Sequence, residues 1–213
     1  MLFNLQKFNI ESKQKNCLFL SKISIMKKII FLIFVTTIFK MNAQEKLPYE
    51  QIPVMEENYS AQNTVARMID GLGFRYFWAS NNLQTNDLKY QPTGEGRSCL
   101  ETIHHIYDLS NMMLRLTKTE FKQNIEKEEM TFLEMRKQTL LNFEALRNKI
   151  LSTKDLSTLS TIKEGKVTIP FFNIINGPIA DAIWHTGQLA SFRRSSGNPI
   201  NTKVNHFTGT IKE

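Results

Sequence analysis

The sequence predicts an all-α protein, a four-helix bundle with one long crossover connection. Three observations lead there. Four segments carry apolar residues at three- and four-residue spacing, the period of a helix with one buried face. Very little of the chain alternates with the two-residue period of a strand. A polar stretch of twenty residues, LSTKDLSTLSTIKEGKVTIP, separates the third segment from the fourth. Adjacent antiparallel helices need only a few connecting residues, so that length implies a crossover. With no internal repeat, one domain over 44–213 accounts for the pattern.

Residues 1–43 read differently. Met26-Lys27-Lys28 precedes the eleven-residue run IIFLIFVTTIF, Ile29 to Phe39, which ends in KMNAQ. A short basic stretch, an apolar run and a small-residue junction make a secretory signal peptide over 26–43, with cleavage expected after Ala43. The run is shorter than the roughly 20 apolar residues that span a bilayer, so no stable membrane insertion is expected after cleavage. Residues 1–25 show no apolar periodicity and read as an extension from an upstream start codon. The expected location is therefore outside the cytoplasm, periplasmic or secreted.

Removing that segment changes the charge argument. The whole chain has a formal net charge of +7, but 1–43 holds seven of its 27 basic residues and one of its 20 acidic ones. The remainder is 20 minus 19, or +1, with no basic stripe, which argues against a nucleic-acid partner. Of the two cysteines, Cys17 lies in the leader, so Cys99 has no partner in the expected mature chain. Such a chain relies on its core, and at this length it can.

The first helix is expected from Tyr59 to Ser80, with Val65, Ile69, Leu72 and Tyr76 on one face and with Gly71 and Gly73 weakening it. A polar loop with Pro92, Gly94 and Gly96 ends it. Ser98 to Glu101, SCLE, is a capping box that opens the second helix, to about Lys118. TFLE, Thr131 to Glu134, opens the third, which carries Leu133, Leu140, Phe143 and Ile150 to about Leu151. The fourth ends at SSGNP, where Gly197 suits a left-handed cap and Pro199 cannot continue a helix. Its start has two readings: Phe171 opens it and Pro178 kinks it, or Asn176-Gly177-Pro178 caps it with the proline in the first turn.

The chemistry concentrates in ADAIWHTGQLASFRR, Ala180 to Arg194. Asp181 and His185 are four apart, so they project from one helix face and could grip one ion. The more ordinary reading of that spacing taken alone is a solvent-facing pair, or a histidine satisfied by a carboxylate. Ile183, Trp184, Leu189 and Phe192 make the segment apolar, so the pair would sit on a buried face, where a carboxylate needs a partner. Gly187 costs a mid-helix position about 1 kcal/mol relative to alanine, which implies a close approach there. The second helix offers His104 and His105, about 100° apart around the axis, and periodicity does not choose between them. Asp108 is a candidate acceptor for either.

From about Asn58 to Pro199 the chain resembles the DinB-like (DinB/YfiT) superfamily of four-helix bundles. The features that carry the resemblance are His105-Ile106 on the second helix, His185-Thr186-Gly187-Gln188 on the last, and the trio Arg194, Gly197 and Pro199. The resemblance implies a divalent metal, zinc, nickel, manganese or iron, held by His105, Asp181 and His185. Asp181 stands where the family pattern has a third histidine. Aspartate ligates zinc, and exchanging imidazole for carboxylate lowers the formal charge of the site by one, which favours harder ions such as manganese. The resemblance further implies hydrolysis of a small amide or ester, or transfer of a low-molecular-weight thiol, and pairing as a homodimer. Glu101 and Gln188 are candidates for supporting the ligands or for proton transfer. The alternative is a non-catalytic bundle in which Asp181 and His185 form a buried hydrogen-bonded pair. Arg193 and Arg194 read as favourable charges at a helix C-terminus, and His206 as exposed.

Overall fold

Capping chemistry fixes where the helices of this computed structural model begin. The structure describes residues 46–54, 58–120 and 125–212, so the expected signal peptide and its cleavage site lie outside the described residues. Helix α1, Ala61–Ser80, starts where the Ser60 hydroxyl accepts from the Asn63 N–H. A short α2, Thr85–Lys89, follows. Helix α3, Cys99–Leu116, and helix α4, Phe132–Ser152, each open on a complete capping box, Ser98 with Glu101 and Thr131 with Glu134. The last helical stretch comprises α5, Phe171–Ile174, a π-helical turn, Ile175–Ile179, and α6, Ala180–Ser195, with helical backbone at both junctions. Phe171 therefore opens it and Pro178 lies inside it, which is the first of the two readings.

The protein is mostly α, with four main helices packed together. Helix α1 packs against α4 and α6, and α3 packs against the same two. The ring order α1, α4, α3, α6 puts α1 diagonal to α3 and α4 diagonal to α6, so the chain crosses the bundle after α1 as well as in the expected connection after α4. The interior is apolar: Ile69, Leu72, Ile103, Ile106, Met113, Leu140, Phe143 and Leu189 are fully buried. The rings of Tyr76 and Phe143 meet edge to face with centroids 5.9 Å apart.

Several expectations are corrected. Leu133, placed on the packing face of α4, is exposed, and its neighbours Phe132 and Met135 pack into the core in its place. Trp184 is exposed too. Short strands do occur: β1, Thr161–Lys163, pairs with β2, Lys166–Ile169, and β3, Val204–Asn205, pairs with β4, Thr210–Ile211. Two to four residues are too few for an alternating pattern to register. Arg193 is buried rather than a surface charge, donating to the carbonyls of Trp78 and Asn198 and so tying the end of α1 to the end of α6. Gly197 has φ +94°, the left-handed conformation expected of a helix stop. Among the described residues, no helix is long and apolar enough to cross a membrane.

Gly73 shows what a helical glycine can be for. A Cβ built there would lie 2.5 Å from ring carbons of Tyr49, which is buried against α1. The segment before α1 is thereby seated on the bundle, and the Trp78 indole N–H donating to the Glu50 carbonyl holds it there.

Candidate metal centre

Helix phase decides between the adjacent histidines. The buried face of α3 includes Thr102, Ile103, Ile106 and Tyr107, which leaves His104 and His105 on the two flanks of that face. His105 turns toward α6. His104 turns away, where burial first and then the Lys127 charge hold its pKa below the usual imidazole range, against the opposing pull of Asp108 and Glu101. Asp108 is not the partner of either ring: both its oxygens accept from the Lys127 ammonium, at 2.7 and 2.6 Å.

Helix α6 brings the other two groups. Asp181 Oδ2 lies 3.2 Å from His105 Nε2, and Asp181 Oδ1 lies 3.3 Å from His185 Nε2. The two imidazoles meet edge to face with centroids 4.5 Å apart. One ligand atom from each of the three residues lies within 4.8 Å of the others, a spacing that can hold a metal ion. One carboxylate thus faces two ring nitrogens, one from each of two helices.

The His185 ring is oriented from behind. Its Nδ1 meets Gln188 Oε1 at 2.7 Å. With that oxygen as acceptor, Nδ1 carries the proton, and the lone pair of Nε2 faces the Asp181 carboxylate. In neutral His185 a lone pair would then oppose a negative oxygen, an arrangement that a cation between them relieves. Two imidazole nitrogens and one carboxylate oxygen are a donor set that suits zinc and other borderline divalent ions, so the residues present fit the group.

The site is not the buried pair that the apolar sequence around it implies. The side chain of Asp181 is 44% exposed, against 25% for His105 and 11% for His185. The carboxylate is the outermost of the three, and the site opens to solvent on its side. Trp184, three residues after Asp181 and four before Gln188, projects from the same strip of α6 into solvent. Its apolar character in the sequence masked this position.

Glu101 does not join the cluster. Its Oε2 accepts from the Ser98 N–H at 2.7 Å and the Ser98 hydroxyl at 2.9 Å. Those bonds, the backbone one foremost, hold its pKa below the ordinary glutamate value, which suits a cap rather than a base. Gly187 also differs from expectation: nothing lies within 4 Å of a Cβ built there, so no close approach explains it. His206 is exposed and stacks edge-on against Phe74. The chain matches no family model, no curated protein and no solved structure.

Proposed function

We propose that the protein is a metal-dependent hydrolase of a small amide or ester, built on a DinB-like bundle and working outside the cytoplasm. The observation that carries the reading is the shared carboxylate: Asp181 presents one oxygen to His105 Nε2 and the other to His185 Nε2. A divalent ion held by these three residues would supply Lewis acidity and lower the pKa of water beside it. The protein's own groups do the rest. Gln188 fixes the His185 ring so that Nε2 faces inward. The exposure of Asp181 leaves an approach for substrate, as a catalytic site requires and a closed structural site does not. Trp184 offers an aromatic face beside that approach.

Hydrolysis is favoured over thiol transfer because low-molecular-weight thiol cofactors are concentrated in the cytosol. The test is elemental analysis of protein purified without a histidine tag, wild type beside Asp181→Ala, followed by a screen of amide and ester substrates. About one zinc, nickel, manganese or iron per chain, lost in the variant together with hydrolysis, is the expected result. A wild type that takes up no metal even after added ions would overturn the proposal.

A further inference from the structure

A second site lies behind the first. A cleft of about 560 Å³ opens on the other side of α6, between that helix, α1 and the chain after Pro199. Gly187, in its lining, is two residues from His185 and so points about 200° away around the axis. The cleft is therefore not an annex of the metal centre. Its volume falls in the range of small-molecule sites.

The lining has a consistent chemistry. No aspartate or glutamate contributes to it, while Arg75 of α1 and Arg194 of α6 both line it. Arg75 is held in place, Nη1 donating to the Gly71 carbonyl at 3.0 Å and Nη2 to the His206 carbonyl at 3.4 Å, and neither bond neutralises its charge. Among the described residues, the Arg194 guanidinium makes no hydrogen bond or ion pair, so its side-chain donors are free for a ligand. Ile183, Ala190 and Ile200 supply aliphatic surface between the two cations.

Gly187 accounts for the floor. A helix-interior glycine sacrifices stability, and here no neighbour demands it. What its missing side chain does is leave the cleft open. We infer that this cleft binds a small organic acid, its carboxylate between Arg75 and Arg194 and its apolar body over Gly187, Ala190 and Ile183. Guanidinium groups recognise carboxylates through paired, charge-assisted hydrogen bonds. The aliphatic walls favour an organic body, from which inorganic phosphate would gain nothing.

Calorimetric titration of the purified protein with sodium octanoate tests this, with octanol and inorganic phosphate as comparison ligands. Saturable binding of one octanoate per chain is expected, with octanol and phosphate at least ten-fold weaker. Arg194→Gln should weaken octanoate on the order of ten-fold. Gly187→Leu should abolish binding while keeping or raising Tm, since leucine favours helix and its side chain would occupy the cleft. Chelator treatment should leave binding unchanged. The inference is overturned if octanoate does not saturate, if phosphate or octanol binds equally well, or if Gly187→Leu leaves binding intact. It is also overturned if chelator abolishes binding, which would move the ligand to the metal centre.

Discussion

His105 and Asp181 are separated by 76 positions in the chain, yet Nε2 of one stands 3.2 Å from Oδ2 of the other. The diagonal connections of the bundle make that meeting, and the Asp181 carboxylate spans it by reaching His185 as well. Asp181→Asn keeps the shape and removes the charge. It is expected to weaken zinc binding by at least about 100-fold, while metal-free stability changes by less than about 1 kcal/mol because the side chain is half exposed. Competition against a chromophoric chelator, beside a thermal melt of metal-free protein, measures both. Equal zinc affinity in the variant would remove the carboxylate from the ligand set.

Gln188 joins the candidate metal centre through the His185 ring rather than as a ligand. Gln188→Ala should cost about 10- to 100-fold in metal affinity, as loss of a ligand's orienting partner typically does, and Gln188→Glu should restore most of it by accepting from Nδ1. The same chelator titration distinguishes them. If glutamate is no better than alanine, the Nδ1 hydrogen bond does not orient the ring.

Two helical glycines should respond to alanine with opposite signs. At Gly73 the added methyl would collide with the Tyr49 ring, a cost of about 1–3 kcal/mol that exceeds the gain in helix propensity. At Gly187 it meets open space, so alanine should stabilise by about 0.5–1 kcal/mol. Urea denaturation of the two variants settles the ordering. A destabilised Gly187→Ala would mean that α6 is not helical there.

Asp87 ties α2 to the chain after α6. Its carboxylate accepts from the Ser196 hydroxyl, the Asn198 amide and the Gln84 backbone N–H. Burial alone would raise its pKa, but these three bonds and the nearby Arg193 charge outweigh it and hold the value below the ordinary 3.8. A folded value lower than the unfolded one means that the contribution is complete well above 3.8 and disappears as pH falls through the folded value. Asp87→Ala should therefore cost about 1–3 kcal/mol at pH 7, and the gap from wild type should shrink as denaturation is repeated below about pH 4. A gap that stays constant with pH would mean that the charge is not what the site stabilises.

The four helices were legible because capping boxes and buried faces are local signals. Ser98 with Glu101 and Thr131 with Glu134 mark helix starts within a residue of where they occur. Asp181 and His185 were legible as a pair from their four-residue spacing, whereas His105 was chosen over His104 only through a family resemblance, since nothing local distinguishes the two. What could not be read depends on which neighbour covers a residue. Leu133 and Trp184 look like core and are exposed, whereas Arg193 looks like surface and is buried. Gly73 and Gly187 are the same residue in the same kind of helix, and only the ring of Tyr49 separates a contact from a cleft.

The π-helical turn over Ile175–Ile179 has a genetic consequence. Such a turn holds one residue more than an α-helix would, and takes it up without changing the rotation of the helix after it. Loss of a single codon there would let the turn relax to regular helix and leave the residues after it in the same phase, so that Asp181 and His185 still face His105. Amino-acid exchanges within the turn would leave that alignment in place. The geometry of the candidate metal centre thus tolerates a one-residue deletion in this turn, whereas one between Asp181 and His185 would break their four-residue spacing.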